Sequence, residues 1–121
     1  MVSSLSVRTK KEYLVITIKG TYDYWECLHY PVKILKECQK RNRNRALVDL
    51  RTLNTGEVSL IELFFLGEKI AQILGNKIIL ALVWKKDSHS DFLADVATNR
   101  AARLSIFDTV KGAESWLLRS C

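Results

Sequence analysis

The chain has 121 residues, 48% of them apolar and 26% charged, with a formal net charge of +6. That length suits one domain with a single core and is too short for two. The longest apolar run, Ile78 to Trp84, falls far short of the roughly 20 residues that span a bilayer.

Taken in chain order, the first candidate element is a weak strand over Leu5–Arg8. Tyr13-Leu-Val-Ile-Thr-Ile-Lys19 follows, rich in β-branched residues and stopped by Gly20, which marks a strong strand. Asp23 can cap what comes next, but Pro31 lies inside the helical pattern, where proline disrupts. Either the helix starts near Tyr30, or a short turn over Tyr24–His29 precedes it with a kink. Ile34, Leu35 and Cys38 carry the apolar stripe on, and Asn42 and Asn44 end it.

Ala46–Leu50 is the next strand, and Leu53-Asn-Thr-Gly-Glu-Val58 reads as a loop with turn chemistry. Ser59 opens a helix with Glu62 three residues on, the capping-box spacing, and Gly75 ends it in the C′ position. Lys77–Trp84, almost wholly apolar, reads as a strand buried on both faces. Ser90 caps a third helix to about Ala101, Arg103–Phe107 is a last strand, and Asp108 or Thr109 caps a final helix. Val110, Ala113, Trp116 and Leu117 form one stripe of that helix. Strands alternating with helices imply right-handed crossovers and a mostly parallel sheet. Ala46–Leu50 and Lys77–Trp84 belong at its centre, and an antiparallel amino-terminal strand at the edge makes a mixed sheet of five.

Charge and cysteine add bounds. The densest basic stretch, Lys36 to Arg45, covers a helix end and the turn after it, where cations meet the negative end of the helix dipole. No aromatic residue interleaves with these cations, so no nucleic-acid partner is expected. Cys27 and Cys38 lie eleven residues apart, about 16 Å along a helix, beyond the roughly 7 Å a disulfide allows. Cys121 is terminal. Met1-Val-Ser-Ser-Leu5 lacks the basic start and apolar segment of a signal peptide. A cytoplasmic protein with free thiols and no membrane insertion is expected.

Two motifs carry a resemblance. Gly20-Thr-Tyr-Asp23 closes one strand, and Ala46-Leu-Val-Asp-Leu-Arg51 is a short strand closing on an acid, with a strand–turn–helix between the two acids. With the helix ending near Asn42, this resembles the opening of a STAS domain, the module of anti-sigma-factor antagonists (SpoIIAA-like) and sulfate-transporter tails. Asn99-Arg100, Phe107, Ala113 and Trp116-Leu117 look more like the bacterial STAS-like proteins of unassigned function, a group linked to lipid-binding domains. The resemblance spans essentially the whole chain and implies a single α/β STAS-like domain over residues 1–121, with about five strands and four helices. It also implies a non-enzymatic regulatory role through contact with another protein.

The sequence departs from phosphorylated antagonists, which carry Asp-Ser-Ser/Thr-Gly at the loop leading into the second helix. Here Glu57-Val58-Ser59-Leu60 stands in that place. Ser59 keeps a hydroxyl that a kinase could modify, yet a helix N-cap accounts for it fully.

No catalytic centre is expected. Neither His29 nor His89 has a carboxylate or nucleophile at a spacing that declares a triad, Asp49 is placed to bind loop backbone, and no phosphate loop, cofactor fingerprint or metal-ligand spacing occurs. On the second helix, Leu60, Leu63, Phe64, Leu66, Ile70 and Leu74 cover one broad face at 100° per residue, whereas Ile61 and Phe65 fall among polar residues. An apolar pair on a polar face marks a contact site. In STAS antagonists this helix and its entry loop form the partner surface, so the resemblance implies Thr55, Ser59, Ile61, Glu62 and Phe65 as the candidate interface, toward another protein or a second copy. Arg51, Lys85 and Lys86 leave strands near a helix amino terminus and form a candidate anion site. The alternative function is a carrier or sensor holding a lipid-like or anionic small molecule, which a large internal cavity would favour.

Overall fold

The computed structural model describes residues 2–120, so Cys121 lies outside the described residues. The order is β1 (Ser3–Thr9), β2 (Leu14–Thr21), α1 (Tyr24–Lys40), β3 (Arg45–Asp49), β4 (Leu53–Asn54), α2 (Leu60–Ile73), β5 (Ile79–Val83), α3 (Ser88–Thr98), β6 (Arg103–Phe107) and α4 (Val110–Arg119). The sheet runs β1-β2-β3-β5-β6, with β4 also paired to β2. β1 is antiparallel to β2 at one edge and every other pairing is parallel.

β5 has all five residues buried, and its alternation divides them between two cores. Leu80 and Leu82 join the cluster beneath α1, α2 and α3. Ile79, Ala81 and Val83 join Tyr13, Leu47, Ala113 and Leu117 beneath α4. Period-two side chains on a strand make this division automatic once helices cover both faces.

α1 departs from expectation. It begins at Tyr24 and runs through Pro31, with Asp23 as N-cap accepting the Glu26 N–H at 3.0 Å. An internal proline forgoes one helical hydrogen bond, but the first two turns are tied down from outside. Glu26 accepts the backbone N–H groups of Val2 at 3.1 Å and Ser3 at 3.0 Å. The Ser3 hydroxyl donates to Glu26 and meets the Tyr30 hydroxyl in the buried space between β1 and α1. The helix ends where expected: Asn42 has φ of 57°, and the Arg43 N–H reaches back to the Cys38 carbonyl, a Schellman closure.

Three further boundaries move. β4 appears where a loop was expected, because the chain turns at 50–52 and rejoins the same flank of β2 that β3 has just left, Gly20 and Thr21 pairing with Leu53 and Asn54. α3 starts at Ser88 and ends at Thr98; Asp87 is its cap and Ser90 the third residue of a reciprocal capping box. Of the two candidates before α4, Thr109 caps it, accepting the Gly112 N–H at 3.1 Å.

Candidate functional site

α2 packs closely beside both flanking helices, α3 and α1, and its inner residues share one core with the strands. Gly67 permits the α3 contact, since a Cβ there would lie 2.9 Å from Val96 Cγ1 and 3.2 Å from the Leu93 carbonyl oxygen. Leu63, Leu66, Ala71 and Leu74 point inward and are buried. Ser59 caps the amino end, its hydroxyl accepting the Glu62 N–H at 3.2 Å. Gly75 follows the last turn with φ of 52°, as the spacing requires.

The outer side of the first two turns is apolar. Ile61 is 65% exposed and Phe65 45% exposed. Leu60, counted with the core stripe from its helical angle, is instead 53% exposed, because it is the first helical residue and projects beyond the layer that covers later turns. Phe64 also departs from the core assignment. It is half-buried, with the Arg100 guanidinium 5.0 Å from its ring centre and Phe65 edge-on at 5.5 Å. Arg100 is shared with Glu68, 3.5 Å away.

Glu62 does not complete the expected capping box. Its carboxylate accepts the Tyr22 hydroxyl at 2.9 Å, linking the amino end of α2 to the segment after β2. Burial first, and that hydrogen bond second, hold the Tyr22 phenol protonated well above its ordinary range. Thr55 is half-buried at the head of the approach loop, beside exposed Gly56 and Glu57.

Arg51 does not stand open to an anion. Asp49 grips it with both carboxylate oxygens at 2.9 and 3.0 Å and accepts its backbone N–H as well. Those bonds hold the Asp49 carboxyl below its usual range, and Asp49 takes the backbone-binding role expected of it. Lys85 and Lys86 are exposed, but the Lys86 N–H donates to Asp108 at 3.1 Å and Asp87 follows directly as the α3 cap. The basic residues after α1 serve the fold: Arg41 pairs with Glu37 and reaches Thr9, and Arg43 reaches the Lys10 carbonyl.

Beneath α2 lies an apolar cavity of about 100 Å³ between the sheet and helices α1 and α2. Its rim residues Tyr22, Leu50, Thr55 and Trp84 each directly follow the last residue of β2, β3, β4 and β5. The sequence could have revealed them, as the first residue after each parallel strand. Trp25, at the start of α1, is 70% exposed and was missed altogether. Among the described residues, no three His, Cys, Asp or Glu side chains converge as a metal-ligand group, and no helix is long and apolar enough to cross a membrane.

No protein-family profile matches this chain, and no curated protein matches it. Solved structures do. A serine-to-glutamate variant of RsbS from Moorella thermoacetica superposes with a TM-score of 0.61 at 14% identity, covering 94% of each chain. An anti-sigma factor antagonist from Mycobacterium paratuberculosis gives 0.58 at 14% identity, covering 96% of this chain and 94% of its own. An uncharacterized Shewanella loihica protein with a SpoIIAA-like fold gives 0.57 at 19% identity, covering 95% and 93%. The fold is the SpoIIAA-like, or STAS, fold, as the strand–turn–helix between Asp23 and Asp49 led us to expect.

Proposed function

We propose that this chain is a non-enzymatic regulatory module that acts by protein–protein contact through Thr55–Phe65. The observation that carries the reading is the outward apolar group Leu60, Ile61 and Phe65, on a helix whose inner face is already buried in the core. An apolar group of this kind, rimmed by Ser59, Glu62 and Lys69, fits a partner surface. The structural likeness to an anti-sigma factor antagonist supports the same reading, with Thr55, Ser59 and Glu62 as its polar margin.

The energetics are adequate. Phe65 keeps 45% of its surface exposed, about 90 Å² of the roughly 200 Å² a phenylalanine presents. Covering it contributes about 2 kcal/mol, roughly 30-fold in affinity. The test sets Ile61→Asp and Phe65→Asp beside the parent in thermal melting, sedimentation and capture from extract of the native host. Both variants should melt like the parent and lose the partner, or the self-association, that the parent retains. Equal retention by the parent and both variants, or a collapse in melting temperature, would overturn the proposal.

A further inference from the structure

We propose that the cavity beneath α2 is a binding site for a small hydrocarbon group, either a free apolar molecule about the size of benzene or the terminal segment of an alkyl chain. Its volume of about 100 Å³ approaches that of engineered cavities that stay dry and take up benzene. Keeping such a space empty is costly, because the lining atoms lose packing partners.

The chemistry of the walls selects the ligand. Ile34 on α1, Leu63, Leu66 and Ile70 on α2, and Val48 and Leu80 on the strands supply carbon, and among the described residues no charged side chain lines the space. A water there would need two or more polar partners. Of the polar groups at the rim, the Tyr22 hydroxyl is engaged with Glu62 and the Thr55 hydroxyl lies 3.4 Å from the Gly56 carbonyl. The same lining argues against an anionic ligand in the interior.

The placement is a consequence of the topology. α2 lies between α1 and α3 over the strands, and side chains from α1, α2 and the strands enclose the space. Pro31 on α1 adds a wall without a backbone N–H to satisfy. The mouth is framed by Tyr22, Leu50, Thr55 and Trp84 at the carboxyl ends of parallel strands, the edge where open α/β sheets take ligands.

The experiment uses the whole chain with labelled Ile, Leu and Val methyl groups, titrated separately with benzene and with n-octanol. Saturable shifts at Ile34, Leu63 and Leu66 are expected, half-complete near about 1 mM for a six-carbon probe. Leu47, Ile79 and Leu117, in the separate core beneath α4, should stay unmoved. Octanol binding more tightly than benzene assigns an alkyl chain whose polar end leaves past Tyr22 and Trp84; benzene binding more tightly assigns a free molecule. Shifts that are absent, linear in concentration, or equal on both faces of the sheet overturn the proposal. Leu66→Phe, which fills the space from α2, should weaken binding at least tenfold. A folded Leu66→Phe that binds like the parent also overturns it, and the parent titration decides alone if that variant melts early.

Discussion

Gly67→Ala sets two opposing terms against each other, and the fold decides the sign. In an isolated helix, replacing an interior glycine with alanine stabilises by about 1 kcal/mol, through lower backbone entropy in the unfolded chain. Here the new Cβ would sit 2.9 Å from Val96 Cγ1, 3.0 Å from Val96 Cβ and 3.2 Å from the Leu93 carbonyl oxygen. Val96 is β-branched and holds one side-chain rotamer within α3, and the Leu93 oxygen belongs to backbone, so neither yields easily. Overpacking of this kind costs about 2 kcal/mol, leaving a net loss of about 1 kcal/mol and a fall in melting temperature of about 4 °C. Thermal melting followed by circular dichroism reads this directly. In the double variant with Val96→Ala the nearest clashing atom is gone, so the cycle should show a favourable coupling of about 1 kcal/mol. A melting temperature that rises in Gly67→Ala would refute the close α2–α3 approach and the account of how α2 is held.

Ser59→Ala should lower stability by about 1 kcal/mol in urea titration through the lost cap; intact-mass analysis of protein from the native host should find no phosphate there, and stoichiometric phosphate would restore a switch at this position. Gly20→Ala should cost about 3 kcal/mol, because φ is +106° and the added Cβ would meet the Val2 carbonyl oxygen at 2.3 Å; an unchanged urea midpoint would count against the β1–β2 register. Burial, and then the hydrogen bond it donates to Glu114, push the Tyr13 phenol from 10.0 up to about 12. Its stabilisation is therefore complete below pH 10 and is lost as pH rises from there through 12. Tyr13→Phe should flatten that alkaline decline, and an unchanged slope in pH-dependent melts would exclude Tyr13 as its source.

Much of the fold was legible because its signals are local. The β-branched run Tyr13–Lys19 and the unbroken apolar run from Ile78 to Trp84 mark strands by composition, and Ser59, Gly75 and Asn42 mark helix ends by their own backbone chemistry. Ile61 and Phe65 could be placed on an outer face by counting turns. The misplacements have one kind of cause. Pro31 argued against a continuous α1, and the Glu26–Ser3–Tyr30 contacts that hold that helix to β1 join positions more than 20 residues apart. β4 is only two residues long and exists because β2 offers an unpaired flank. Asp87, not Ser90, caps α3, because either can begin the same pattern and only the chain's exit from β5 selects one.

The sequence by itself determined the layered α/β order, the two-faced burial of the central strands and the amino-terminal cap of α2, since each depends on side-chain period or on a residue's own backbone preference. Only the tertiary structure decided that Leu60 faces outward, that Arg51 is taken by Asp49, that Glu62 serves Tyr22, and that a cavity remains between α2 and the sheet. Exposure, pairing and empty volume are properties of what lies across from a residue, and distant segments supply that only once the chain has packed.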